Sequence, residues 1–256
     1  MYVDTHCHLT DARFDADRAE TISRASAAGV EHIIEIACEP GKWQTALELA
    51  KSTPAISCVM GIHPQDSSLM SPETFSRLAQ LCGAPEVVAI GETGLDYYHE
   101  NSPRNVQKES FAAHIGLARR LGKPLVIHCR NAYADLFPVL DEEFAKHGVI
   151  SGVVHCFSGT PADAERILSL GLYIGIDGPV TYPGGSSLRE TVKMTPLTRL
   201  LIETDAPYLP PQQYRGKRNE PAYLEHIAHG IALAKDATPE AVALATTTNA
   251  RKLFGL

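Results

Sequence analysis

Eight short apolar runs, each followed by a longer stretch of helical character and recurring about every 25 to 35 residues, predict an α/β chain folded as a (β/α)8 TIM barrel with extra C-terminal helices. Two further observations support that expectation. The length of 256 residues suits one such barrel. The segment after the first run, His6-Cys7-His8-Leu9-Thr10, is nothing like the glycine-rich phosphate loop that an open doubly wound sheet leads one to expect.

The first unit pairs the run 2–9 with a helical segment at 15–28, stopped by Gly29. Successive side chains on a strand point to opposite faces, so Asp4, His6 and His8 are expected on one face and Thr5 and Cys7 on the other. A His-x-His pair so placed offers two neutral nitrogen donors to one point. The second unit reads as a strand at 31–37 and a helix at 41–52. The third reads as 56–62 and 72–81, with Ser71-Pro72-Glu73 placing a hydroxyl before a first-turn proline. The fourth is 87–92 with 105–121, and the fifth 124–128 with 132–146, stopped by Gly122 and Gly148. The sixth, 152–155 with 161–169, opens its helix at Thr160-Pro161 and stops at Gly171. The seventh is 172–176 with 187–193 and the eighth 200–203 with 221–235. Residues 238–256 are expected to form two more short helices covering an open face. No repeat, low-complexity tract or linker interrupts the series, so 1–256 reads as one domain.

Composition narrows the function classes. The chain is 44% hydrophobic and 21% charged, with a net charge of -7, so it lacks the global basic footprint of a nonspecific duplex-binding module. That balance still allows an enzyme to grip phosphates locally, because metal ions neutralise a carboxylate-rich site. No apolar run reaches the roughly 18 residues of a membrane span and no signal pattern precedes Asp4, so a cytoplasmic protein is expected, taken as a monomer. The six cysteines show no C-x-x-C pair and read as reduced, buried thiols. With His6, His128 and His155 facing inward, Cys7, Cys129 and Cys156 are expected to face outward, away from the same metal.

The metal-capable side chains share one location, the C-terminal ends of the proposed strands, which meet at one rim of a TIM barrel. His6 and His8 end the first, His63 follows the third, and Glu92 ends the fourth. His128 ends the fifth, His155 the sixth, and Asp205 follows the eighth. Singly, each has an ordinary alternative as a hydrogen-bonded loop residue or a helix cap. Together, without a metal, they would crowd polar and charged groups that lack partners. Mixed nitrogen and oxygen donors suit a divalent ion such as Mg2+, Mn2+ or Zn2+. Six donors exceed one tetrahedral site, so two ions are expected, with His6, His8 and Asp205 on one, His128 and His155 on the other, and Glu92 linking them. Glu203 lies one layer below Asp205 and is assigned a part in orienting a ligand or managing a proton. Asp4 stands in the same relation to His6.

Asp4-Thr5-His6-Cys7-His8-Leu9, Gly61-Ile62-His63-Pro64, Gly91-Glu92-Thr93-Gly94-Leu95-Asp96-Tyr97-Tyr98, His155-Cys156-Phe157-Ser158-Gly159, Ile202-Glu203-Thr204-Asp205-Ala206-Pro207 and Arg215-Gly216-Lys217-Arg218-Asn219-Glu220-Pro221 together resemble the TatD family of metal-dependent deoxyribonucleases. The resemblance spans essentially the whole chain. It implies a two-metal hydrolase of DNA phosphodiesters, commonly a 3′-to-5′ exonuclease, with the ligand roles on the residues above. It also gives His63 a phosphate contact. Arg130 and the loop cluster Arg215, Lys217, Arg218 and Asn219 are read as substrate contacts that hold phosphates flanking the scissile bond. Tyr97, Tyr98 and Phe157 are candidates for stacking on bases. Two alternatives stay open here: the same barrel cleaving an amide, a lactone or an aminoacyl-tRNA ester, and a noncatalytic metal-binding scaffold.

Overall fold

The computed structural model describes residues 1–99 and 101–256. Eight parallel strands lie in sequence order in one sheet: β1 (Tyr2–Cys7), β2 (Val30–Ala37), β3 (Ile56–Met60), β4 (Val87–Asp96), β5 (Leu125–Arg130), β6 (Gly152–Val154), β7 (Tyr173–Ile176) and β8 (Leu200–Ile202). The helices α1 (Arg18–Ala27), α2 (Trp43–Ser52), α3 (Pro72–Leu81), α4 (Arg104–Leu121), α5 (Tyr133–His147), α6 (Pro161–Ser169), α7 (Ser186–Met194) and α8 (Leu224–Lys235) each follow one strand. This is the expected TIM barrel.

Parallel strands buried on both faces need apolar residues on both, and the core divides accordingly. One cluster, including Ile33, Cys58, Ile127 and Ile174, packs against the helices; the other, including Val3, Ile34, Val59, Val126 and Leu201, fills the barrel. A final helix, α9 (Pro239–Phe254), adds Ala250, Leu253 and Phe254 to the inner cluster and so closes the barrel at the end opposite the site. Here the expectation of two short helices fails. Thr238 caps the N-terminus by accepting from the Ala241 amide. Thr246 and Thr248 then satisfy their hydroxyls on the carbonyls of Val242 (2.9 Å) and Leu244 (2.7 Å), so the threonine-rich stretch does not break the helix.

Two departures from regular strand geometry set up the site. The first is in β1, where the pairing with β2 shifts register between Asp4 and Cys7. Strict alternation would put Val3 and Cys7 on one face, yet Val3 joins the inner cluster and Cys7 the outer. Asp4 accordingly does not stand behind the His6 ring. Its carboxylate accepts from the amide (2.9 Å) and hydroxyl (2.5 Å) of Thr204, across the seam where β1 meets the chain after β8. There the barrel closes through the Asp205 amide to the His6 carbonyl (2.9 Å) and the His8 amide to the Ala206 carbonyl (2.7 Å).

The second departure is in β4, which runs four residues past its expected end at Glu92 and shifts register against β5 between Gly91 and Thr93. Gly91 and Gly94 have φ of 147° and 139°, outside the range of ordinary L side chains. A Cβ at Gly94 would clash with the His128 carbonyl oxygen, so the glycine lets β4 and β5 approach where Glu92 and His128 must meet.

Candidate metal centre

At the C-terminal mouth of the barrel, an open cleft of about 780 Å³ has Glu92 at its floor. The Glu92 carboxylate turns its two oxygens to different neighbours. Oε1 lies 2.6 Å from His155 Nε2, 2.8 Å from His128 Nδ1 and 3.5 Å from His63 Nε2. Oε2 lies 3.4 Å from His6 Nε2 and 4.0 Å from His8 Nε2, and Asp205 Oδ1 completes that side at 3.7 and 3.5 Å from the same two nitrogens. Among the described residues, the donor groups His6-His8-Asp205, His6-Glu92-His155 and His63-Glu92-His128 each have atoms within 4.8 Å of one another, and Cys156-Asp177-Asp205 forms a fourth at the edge. The fold thus gathers His6, His8, Glu92, His128, His155 and Asp205 from the C-terminal ends of five strands, β1, β4, β5, β6 and β8.

Most of the imidazoles are turned by what holds their other nitrogen. His8 Nδ1 donates to the Ile36 carbonyl (3.2 Å), leaving Nε2 facing Asp205 and Glu92. His128 Nε2 faces Asp96 Oδ2 (3.2 Å), leaving Nδ1 for Glu92. His63 is the reverse case: its Nδ1 accepts from the Gln65 amide (3.2 Å), so Nε2 carries the proton and points into the cleft as a donor.

Burial and charge then set the protonation. Burial, with His155 alongside, pushes His6 down to about 4, so it is a neutral donor. Burial opposes ionisation of Glu92, but the surrounding imidazoles hold its carboxyl well below the usual range. His8 and His128 resist burial and rise to about 9, held up by Asp205 in one case and by Asp96 and Glu92 in the other. A metal taken up at those two positions therefore displaces protons.

The donor set fits divalent ions. Both ring nitrogens of the fully buried His6 have no hydrogen-bond partner, nor does Nδ1 of His155, and the two rings stack at 3.9 Å. Imidazole nitrogens packed around an ionised carboxylate form the mixed donor set that a hard-to-borderline cation takes.

Glu203 keeps the layer below Asp205 that its spacing gives it, while several other residues sit elsewhere than expected. Glu203 is fully buried, accepting from the Cys156 amide (2.5 Å) and Thr5 hydroxyl (3.3 Å), with Oε1 3.7 Å from His155 Nδ1. It lies beneath the centre rather than in the cleft. Cys156 takes φ 44°, which breaks the alternation after β6; its Sγ faces Asp177 (3.1 Å) and lines the cleft instead of pointing outward. Cys7 and Cys129 do join the outer core, and all six thiols are free.

The loop after β8 does not aim its cations at the cleft. Arg218 makes a two-pronged pair with Asp17 (2.7 and 2.8 Å) and lies over Phe14, because a fixed carboxylate fits the guanidinium fork. Arg215 lies over Tyr182 and Lys217 by Tyr214. Asn219 is buried and ties the Thr204 and Tyr208 carbonyls together, each at 2.7 Å. Among the described residues, the lysine and arginine lining the cleft are Lys42 and Arg130. Phe157 is buried, and Tyr97 bonds Asp135 (2.7 Å), which leaves Tyr98 as the exposed aromatic of the three.

Sequence reasoning passed over Asp96, which follows Glu92 by an even number of residues along the same strand and anchors His128. It also passed over Glu35, a charged residue inside the apolar run Ile33-Ile34-Glu35-Ile36. Burial raises its carboxyl to about 7, and it accepts from the Leu9 amide (2.5 Å) and from the Thr10 amide (3.2 Å) and hydroxyl (2.6 Å), pinning the turn after His8.

The profile of the family described as TatD related DNase matches residues 3–255. The chain belongs to the TatD family. It is 40% identical to the uncharacterized metal-dependent hydrolase YabD of Bacillus subtilis over 99% of both chains. It is also 40% identical to the 3′-5′ ssDNA/RNA exonuclease TatD of Citrobacter rodentium, covering 99% of this chain and 97% of the relative. The crystal structure of YjjV, a TatD homologue from Escherichia coli K12, superposes with a TM-score of 0.93 at 31% identity, over 100% of this chain and 98% of that one. No helix among the described residues is long and apolar enough to cross a membrane.

Proposed function

We infer that this TatD-family chain is a divalent-metal-dependent hydrolase that cleaves phosphodiester bonds of DNA, removing nucleotides from single-stranded 3′ ends. The observation that carries the reading is Glu92, whose two oxygens face separate sets of imidazoles as a bridge between two cations would. His6, His8 and Asp205 would hold one ion, His128 and His155 the other, with Glu92 shared. Ions so held supply positive charge to the phosphoryl group and acidify a water at neutral pH.

The chain's own residues complete the arrangement. His63, neutral because burial lowers its pKa, presents Nε2–H to the cleft and donates to a phosphoryl oxygen as negative charge develops. Arg130 and Lys42 line the same cleft and hold the flanking phosphates. Asp96 keeps His128 aimed, Glu203 holds the Cys156 amide next to His155, and Asp4 and Asn219 keep the backbone of Asp205 in register. The curated relative named a 3′-5′ ssDNA/RNA exonuclease supports the substrate class and polarity.

The test is cleavage of 5′- and 3′-labelled single-stranded DNA by chelator-treated protein supplied with Mg2+, Mn2+ or Zn2+. Metal-dependent loss of nucleotides from the 3′ end is expected, with Glu92→Gln reducing turnover on the order of a thousandfold. Undiminished cleavage by Glu92→Gln, or by protein kept in chelator, overturns the reading.

A further inference from the structure

Two exposed tyrosines, Tyr208 lining the cleft and Tyr98 packed against the cleft-lining Arg130, are built in parallel ways. Tyr98 follows β4 and is 59% exposed; Tyr208 follows β8 and is 47% exposed. Strands four apart in the eight-stranded order face each other across the barrel, so the two tyrosines follow strands on opposite sides of it. Both tyrosines hang from carboxylate residues of the site. The Tyr98 amide donates to the Asp96 carboxylate (2.9 Å), the group that also anchors His128. The Tyr208 amide donates to the Asp205 carbonyl (2.8 Å), and its ring meets His8 edge to face with centroids 5.9 Å apart.

Each ring also carries a guanidinium. Arg130 lies 4.1 Å from the Tyr98 centroid and Arg13 lies 4.2 Å from that of Tyr208. Arg13 is itself fixed by a two-pronged pair with Asp11, both contacts at 2.9 Å. A stacked guanidinium covers one ring face, stiffens the side chain and brings positive charge beside it. The exposed remainder of a large aromatic ring, held in place beside a cleft that gathers phosphate-directed groups, has the form of a stacking surface for a nucleobase.

We propose that Tyr98 and Tyr208 are base-stacking platforms that hold the nucleotides on either side of the scissile phosphate. This rests on the nuclease reading above and deepens it by assigning what tells a nucleic acid from any other phosphodiester. It also accounts for a preference for single strands. A base within a duplex is already stacked and paired, and freeing it costs a few kcal/mol, whereas an unpaired base presents its faces at no such cost. Recognition by ring faces is tolerant of sequence, because every base has one.

The experiment compares a short 5′-labelled single-stranded oligodeoxynucleotide with the same strand carrying abasic tetrahydrofuran residues on both sides of its 3′-terminal phosphodiester. With reconstituted wild-type protein, kcat/KM for the base-bearing strand is expected to exceed that for the abasic strand by roughly tenfold or more. Tyr98→Ala and Tyr208→Ala should each shrink that ratio, chiefly through KM for the base-bearing strand. Tyr98→Phe and Tyr208→Phe should retain it. A wild-type ratio near one, or alanine variants that keep the full ratio, overturns the platforms while leaving the nuclease reading intact. Cleavage of neither strand by the metal-loaded wild type overturns the nuclease reading and the platforms with it.

Discussion

Replacing Asn219 by alanine separates a residue that holds a loop from one that holds a substrate. The side chain is fully buried, with Nδ2 donating to the Thr204 and Tyr208 carbonyls at 2.7 Å each and Oδ1 accepting from the Glu220 amide at 2.9 Å. Those two carbonyls bracket Asp205. Alanine leaves two acceptors and one donor without a protein partner, and a buried group so stranded costs about 1–3 kcal/mol. Water entering the vacated space recovers part of that, so the net loss of stability is expected near 3 kcal/mol. In a domain of this size, that lowers Tm by roughly 6–12 °C. The assay is thermal and urea unfolding in chelator, where bound metal cannot stabilise the native state by mass action. A metal titration follows, in which release of the Asp205 backbone should weaken affinity on the order of tenfold or more. An Asn219→Ala protein with unchanged unfolding and unchanged metal affinity, but a raised KM for DNA, would refute the loop-holding role and restore substrate contact.

Arg218→Ala should lower stability only slightly, since its pair with Asp17 is solvated. It should leave KM for DNA and the salt dependence of cleavage within about twofold of wild type; a reduced salt slope would instead mark Arg218 as a phosphate contact. His114 on α4 answers to pH. Burial pushes it down to about 4 from an ordinary 6.5, and its Nε2 accepts from the Ile62 amide at 3.1 Å. A lowered folded value means that the unfolded chain takes the proton first, so stability present above pH 6.5 is lost as pH falls toward 4. Between pH 7 and pH 5 that loss is about 2 kcal/mol, visible as a falling urea midpoint. His114→Gln should remove this part of the acid slope, and an identical slope in the variant would show that the loss arises elsewhere.

The barrel was legible in the chain because its signals are local. Apolar runs of strand length, helix caps such as Ser71 and Thr160, and the order of the units each depend on a few neighbouring residues. The six proposed ligands were legible for a related reason: once the topology is a closed parallel barrel, every strand end points to one rim, so position along the chain specifies position in space. Direction and partnership were not. The register shift in β1 sent Asp4 to the Thr204 seam, and the left-handed backbone at Cys156 turned that thiol into the cleft, where simple alternation puts it outside. The basic loop illustrates the same limit from the other side. Arg218 is charged and follows the last ligand, yet its guanidinium goes to Asp17 on the far side of the chain, because a carboxylate from another element lies within reach. Periodicity and composition determined which groups this protein brings to its rim. Only tertiary packing decided which of them face the cleft and which are spent on holding it, since that depends on distances between residues with no relation in sequence.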